Sequence, residues 1–340
     1  MRREPLARRL AIAGVAFSVA AGTLVVLALL AGASPVEALR ALAEGAAGSR
    51  AALGETLARS TALVLTALGA SLAFRAGVLN IGLEGQFLAG AVAAATIGPL
   101  FSGCPFLARI ALLGAAAVAG ALWVLPAAWL EARRGVPEVL STILLNLVAA
   151  AAVSGLVRGA LKDPAADYPQ SRALSEAVRF TPLASGSRAT AAILVALALA
   201  LLTTLVLERT PLGLKLRAMG LAPGAARTIG LPAARLRLLA FAASGALAGL
   251  AGGLEVAAVT GRLYDPFSAG AGYTGIAAAL LGGSNPLAAA ASAVLFAGLG
   301  AGSSAMQRDT GIPGALATIV PGVLVLAVLA ARARRSGNEP

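Results

Sequence analysis

Two carboxylates and a handful of amides stand inside otherwise apolar stretches, and they are the groups with which this chain could do chemistry. Phe74–Gln86 reads FRAGVLNIGLEGQ, which sets Asn80 and Glu84 at i,i+4 on one helical face, with Gln86 two residues on. Gly135–Asn146 reads GVPEVLSTILLN and makes a second such polar stripe from Thr142 and Asn146. Glu255 is the other acid of an apolar run, and Asn285 is the only amide of Tyr273–Pro286, YTGIAAALLGGSNP. Amides and carboxylates in such places hydrogen-bond either a passing polar substrate or the neighbouring helices, and both readings stand for Asn80, Glu84, Gln86 and Asn146. Burying Glu84 against lipid costs about 2.5–3.5 kcal/mol, so it faces protein or a pathway. For Asn285 the plain alternative is a turn residue before Pro286.

Other chemistry is excluded by residue type. Histidine is absent and cysteine occurs once, which removes imidazole acid–base steps, zinc sites and an intrachain disulfide. Neither Lys162 nor Lys215 lies in the GxxxxGK context that cradles ATP phosphates. No TVGYG-like filter and no arginine-rich voltage-sensing helix occurs. No catalytic residue and no metal site is expected. Aromatic residues make up 4% of the chain, too few to stack on nucleic acid.

The elements that must position these groups are membrane helices. Of 340 residues 59% are hydrophobic and only 12% charged, with a mean hydropathy of +0.86. Soluble domains carry roughly 25% charge. A spanning helix takes about 20 apolar residues, and the pattern predicts about ten. They lie near Leu10–Ala33, Thr56–Phe74, Ile81–Leu100, Phe106–Leu130, Val139–Val157, Ala189–Leu207, Leu238–Thr260, Gly272–Leu281, Leu287–Gly302 and Ile312–Ala331. The eighth and ninth read as a short or broken pair within 272–302, around Gly282–Pro286. Arg2, Arg3, Arg8 and Arg9 precede a first apolar run too long for a signal peptide, so an uncleaved helix is expected. An even helix count puts both termini in the cytoplasm. Most of the basic residues then fall on that side, which reads the net charge of +12 as a topology signal.

Between spans, Ser34–Glu55 reads as an amphipathic surface helix on the outer side and Arg158–Arg188 as a long outer loop with three prolines. Arg209–Arg237 is the basic inner segment. Within it Pro223 and Gly224 start a short helix that Gly230 and Pro232 stop. It is either a solvated anchor or a helix shaped for a partner's groove.

Taken in order, these segments resemble the membrane permeases of bacterial ABC importers, in the branch with ribose, branched-chain amino acid and nucleoside permeases. The resemblance is nearest to the nucleoside (simple-sugar) permeases. Its carriers are GxxNIGxEGQ at Gly77–Gln86, EVxSTIxLN at Glu138–Asn146, RAxGxxPxAAxxxG at Arg217–Gly230, SGxLAGLAG at Ser244–Gly252 and IAxALLGxxNP at Ile276–Pro286. Gly224 stands where the broader EAA–x3–G loop has glutamate, so that wider motif is incomplete. The resemblance implies one permease domain over 1–340, with a core at 56–331, an extra span and amphipathic segment in 1–55, and a coupling loop at 209–237, as in the longer of two paralogous permeases. It implies a polar pathway from Asn80, Glu84, Gln86, Asn146, Glu255 and Asn285, and ATPase coupling through Arg217, Gly224, Ala225, Ala226, Arg227 and Gly230. Partners would be ABC ATPase subunits carrying ATP and Mg²⁺, a second homologous permease, an extracytoplasmic substrate-binding lipoprotein and the lipid of a bacterial plasma membrane, with no cofactor on this chain. Nucleosides are the expected substrate, then ribose or other simple sugars, then branched-chain amino acids. An ion-coupled carrier working through Glu84 and Glu255, and a scaffold without transport, are the competing readings.

Overall fold

The structure, a computed structural model, describes residues 6–101, 103–283, 285–312 and 319–336. Among these residues the regular structure is helical throughout, with isolated bridges in place of strands. The helices are α1 (Leu6–Leu30), α2 (Pro35–Ala47), α3 (Arg50–Arg75), α4 (Leu83–Ile97), α5 (Pro105–Trp123), α6 (Leu125–Arg134) and α7 (Glu138–Arg158). Then follow α8 (Ala192–Arg209), α9 (Pro211–Leu221), α10 (Pro223–Thr228), α11 (Ala233–Glu255), α12 (Ala271–Gly282), α13 (Pro286–Thr310) and α14 (Ile319–Ser336).

Among the described residues six helical stretches are long and apolar enough to cross a membrane: α3, α5 with α6, α7, α8, α11 with its continuation to Thr260, and α13. α4 has 15 residues and α12 has 12, both short of a full crossing. Of the tenth expected span, residues 313–318 lie outside the described residues and α14 takes up the rest.

Helix ends follow local chemistry. Ser49 starts α3 by accepting from the Ala52 N–H at 3.0 Å, and Thr210 starts α9 by accepting from the Gly213 N–H at 3.2 Å, with Pro211 at the first position. The α9 helix was not expected inside the basic segment. The expected surface helix at Ser34–Glu55 is α2, capped by Ser34 and broken from α3 at Gly48–Ser49. It buries Ala38 and Ala41 and lies along α13.

The centre is α3 and α11, flanked by α4, α5, α12 and α13. Lipid removes the hydrophobic drive for helix association, so close packing must come from small residues. The SGxLAGLAG run does this. A side chain at Gly249 would enter the backbone of Ala116 and Gly120 on α5, and one at Gly252 would enter that of Phe87 on α4.

The expected short pair is corrected by the structure. α13 is a full helix of 25 residues, because Ser303–Thr310 continues with helix-compatible residues until Gly311 takes φ +71° and stops it. Only α12 is short, and the break lies ahead of it, at Gly261–Gly270. α11 ends in a one-turn π stretch, Val256–Thr260. The loop at 159–191 seals that end: Leu174 N–H donates to the Gly261 carbonyl at 2.9 Å and Ser171 N–H to the Leu263 carbonyl at 2.7 Å. Ser154 and Arg158 of α7 then hold Asp265, at 2.7 and 2.8 Å, and keep its carboxyl below the usual carboxylate range. From there the chain reaches α12 beside Thr66, whose hydroxyl donates to the Ala271 carbonyl at 3.2 Å. Thr66 is 16 residues into α3, about 24 Å along that helix. The segment therefore dips back into the bundle, and α12 is a half-length helix that begins at depth.

Candidate functional site

The dipping segment meets the loop between α3 and α4, and their meeting point gathers most of the polar residues singled out above. α3 stops where Gly77 adopts φ +71°, and the chain turns through Gly82 into α4. Asn80 and Gln86 form a reciprocal amide pair, each donating to the other at 3.0 Å. Asn80 also donates to Ser244 Oγ of α11 at 2.9 Å and accepts from the Gly82 N–H at 3.0 Å. Asn146 reaches across from α7: its Oδ1 accepts from the Gly85 N–H at 2.8 Å, and its Nδ2 donates to the Ile81 carbonyl and the Tyr273 hydroxyl, both at 3.0 Å. All three amides are buried. A net hydrogen bond is worth about 1 kcal/mol, and orphaning a buried group costs about 1–3 kcal/mol, so this node is held by mutual satisfaction.

Glu84 belongs to the same node and does something more specific. Its Oε2 accepts from the Gly272 N–H at 2.7 Å, in the first turn of α12. A helix N-terminus carries orphan N–H groups and a partial positive charge. A half-helix that begins at depth cannot give those groups to bulk water, and the Glu84 carboxylate takes that place. Gly272 is packed so closely on Leu83 and Glu84 that a side chain there would enter their backbone.

Beside the node runs an aromatic shelf. Phe87 stacks on Phe267 with centroids 5.9 Å apart, and Tyr264 meets Phe267 edge-on at 5.5 Å. Phe267 is buried, whereas Tyr264 and Tyr273 stay 39% and 44% exposed, so two phenol rings at the helix break are open.

The other two pathway candidates lie apart. Glu255 is eleven residues beyond Ser244 on α11, about 16 Å along the helix. It is half-buried, and among the described residues its carboxylate joins no hydrogen bond or ion pair. The charges acting on it are Arg188, Arg59 and Glu55. Glu55 binds Arg59 at 2.7 Å and Arg188 at 2.9 Å. This trio lines a cleft of about 750 Å³ between α2, α3 and α13, with Ser304 and Arg308 on its far wall. Asn285 caps α13, accepting from the N–H groups of Leu287 at 3.0 Å and Ala288 at 3.4 Å. It stands at the far end of α12 from Glu84, and the turn reading describes it.

The opposite end of the bundle carries the second set of candidates. Pro223–Thr228 is the expected short helix, α10, with Gly230 at φ +78° behind it. Ala226 is buried against the protein, while Gly224 and Ala225 face outward. The side chain of Arg227 lies outside the described residues. Leu221 and Ile229 flank α10 and are 69% and 72% exposed. Arg217 turns inward instead: it pairs with Glu208 at 3.2 Å, and Glu208 also holds Arg75 at 2.5 Å. Glu138 accepts from the Leu79 N–H at 2.7 Å and pairs with Arg237, which also holds Glu131 at 2.6 Å. Ser244 and Glu208 were not singled out as site residues by sequence. Ser244 is one hydroxyl in a glycine-rich run, and nothing local marks its partner.

Known proteins of similar sequence are transport permeases. The glucose ABC transporter permease protein TsgB13 of Haloferax volcanii is 34% identical over 303 residues, covering 86% of this chain and 80% of that protein. The guanosine ABC transporter permease protein NupP of Bacillus subtilis is 32% identical over 330 residues, 94% of this chain and 92% of its own. The nucleoside ABC transporter permease protein NupB of Lactococcus lactis is 30% identical, over 92% and 87% of the two chains. No solved structure matches. Residues 52–329 match the family described as the permease component of the branched-chain amino acid transport system, a match that takes in the node, the half-helix and α10 but leaves out α1 and α2. The chain belongs to that permease family.

Proposed function

We propose that this chain is a permease subunit of an ATP-driven importer and that it conducts nucleosides across a bacterial plasma membrane. The observation that carries the substrate is similarity over nearly the whole length to permeases named for guanosine and for nucleosides. Simple sugars are the second reading, favoured by the relative named for glucose. One chemistry serves both, because a ribose and a hexose each present hydroxyls to carboxylates and phenols.

The pathway runs along the open groups rather than the closed ones. Glu255, Tyr264 and Tyr273 offer acceptors and ring faces. Asn80, Glu84, Gln86 and Asn146 hold the half-helix that carries Tyr273 in place. The node is shared by every state that keeps these bonds. Transport then consists of moving α12 and its preceding segment relative to α11, in an alternating-access cycle.

ATP and Mg²⁺ are handled by separate ATPase subunits docked at the α9–α10 end, with the exposed Leu221 and Ile229 seating in their groove. That end is cytoplasmic, both chain termini lie on the same side, and a substrate-binding lipoprotein delivers from the α2 end. A second, homologous permease completes the path. The chain forms one domain, with 1–55 added to a core at 56–331.

The test is purification of the C-terminally tagged chain from gently solubilised membranes, then uptake in proteoliposomes. Co-purification of an ATPase and a second permease, with ATP-dependent uptake of radiolabelled guanosine, is the expected result. Uptake of glucose in its place moves the assignment to the sugar reading. Uptake by the chain alone under a sodium or proton gradient overturns the ATP-driven one.

A further inference from the structure

The α9 helix meets the start of the α3–α4 loop through a contact made of backbone. Gly220, near the end of α9, lies so close to the α3–α4 loop that a side chain on it would enter the Arg75 carbonyl, the Gly77 nitrogen and the Ala76 carbonyl carbon. From the other side, a side chain on Gly77 would enter Gly220. Glycine is required twice over at Gly77, by this approach and by φ +71°. Glu208 clamps the same junction by holding Arg75 of α3 and Arg217 of α9.

From Gly77 the connection is short and stiff. Val78 is buried, Leu79 is tethered to Glu138, Asn80 is locked to Gln86 and Ser244, and Glu84 caps α12. Six residues thus lie between Gly77 at the α9 contact and Glu84, whose carboxylate caps the half-helix. The tethers of this connection run to α7 at Leu79, to α11 at Asn80 and to α12 at Glu84.

The geometry points to Gly220 and Gly77 as the positioning residues through which movement at α10 reaches α12, with Glu84 as the final contact. α10 follows α9 across Ala222, and a push on it shifts α9. The Gly220–Gly77 contact then carries the loop, and the loop carries Glu84 and the α12 N-terminus. Glu138 anchors the loop from α7 and serves as its pivot. The inference rests on the permease reading, and it adds which atoms couple the two ends.

The experiment uses the whole complex purified with the tagged chain, in a background where Cys104 is replaced by serine. Thr274→Cys, in the first turn of α12, reports by its rate of maleimide labelling with and without ATP plus vanadate. In that parent the rate is expected to change on nucleotide trapping. Gly220→Ala is expected to abolish the change and to lower guanosine uptake per ATP hydrolysed roughly tenfold, within the usual range of coupling between sites, while ATP hydrolysis persists. Gly114→Ala on α5, away from the α9–α10 end and where an added methyl meets nothing within 4 Å, is expected to keep both. A labelling change that survives in Gly220→Ala overturns the inference. Should Gly220→Ala fail to assemble, Glu138→Ala decides: a weakened labelling response supports the route, and a parent-like one overturns it. The labelling readout needs only nucleotide trapping. Failure of guanosine uptake in the parent therefore counts against the substrate reading and leaves the coupling test intact.

Discussion

The node around Asn80 and the surroundings of Glu255 are both polar islands in an apolar helical protein, yet they differ in bookkeeping. In the node every amide finds partners within 3.0 Å, and the Glu84 carboxylate occupies a helix N-terminus. At Glu255 the carboxylate is half-buried and, among the described residues, joins no hydrogen bond, while Tyr264 and Tyr273 at the helix break stay partly open. A polar side chain in a membrane helix is thus not a substrate contact by type alone. Its unmet hydrogen-bonding capacity is what separates a structural joint from a candidate contact.

The comparison breaks first at Asn146. Replacing it by leucine orphans the Gly85 N–H and the Ile81 carbonyl and frees the Tyr273 hydroxyl. The expected loss is about 3 kcal/mol of stability, read as a lower melting temperature in detergent and a lower yield of inserted protein. Normal stability would mean the node is looser than its bonds imply. Glu255→Gln should do the reverse. Its fold and assembly should match the parent, while uptake falls roughly tenfold, about 1.4 kcal/mol, because a carboxylate acceptor is lost. Parent-level uptake would remove Glu255 from the pathway. Tyr273→Phe tests the boundary between the two regions and should have the smallest effect. It loses the bond from Asn146, about 1 kcal/mol, and keeps the open ring. A modest drop in melting temperature with uptake largely retained is expected, and a complete loss of uptake would make the hydroxyl itself a substrate contact.

Much of this was legible in the residues. The stripe ending at Asn146 and the proline–glycine start of α10 lie where local chemistry placed them, whereas Asn80, expected on one helical face with Glu84, stands in the loop ahead of α4, because the chain turns through Gly82 and the helix begins only at Leu83. Position in the fold was less legible. Asn285 has the same amide as Asn146, but it precedes a proline at a helix start and its carbonyl oxygen is spent on two backbone N–H groups. Arg217 has the charge expected of a docking residue, yet Glu208 binds it to the protein's own α3. The break at α12 was expected on its C-terminal side, where Gly282–Pro286 signals a turn. The larger departure from helix precedes it, because the Gly261–Gly270 backbone finds its partners in the distant loop at 159–191 and in α3.

The sequence by itself determined a helical membrane protein, the polar elements within it and the family to which they belong. Hydropathy and short-range spacing are local quantities, written residue by residue. Only the tertiary structure decided which polar groups are spent and which remain open, that Glu84 caps a half-helix begun at depth, and that two glycines 143 residues apart meet backbone to backbone. Those outcomes depend on pairings between distant segments, and a hydrogen bond is satisfied or left open only once its partner has been brought within 3 Å.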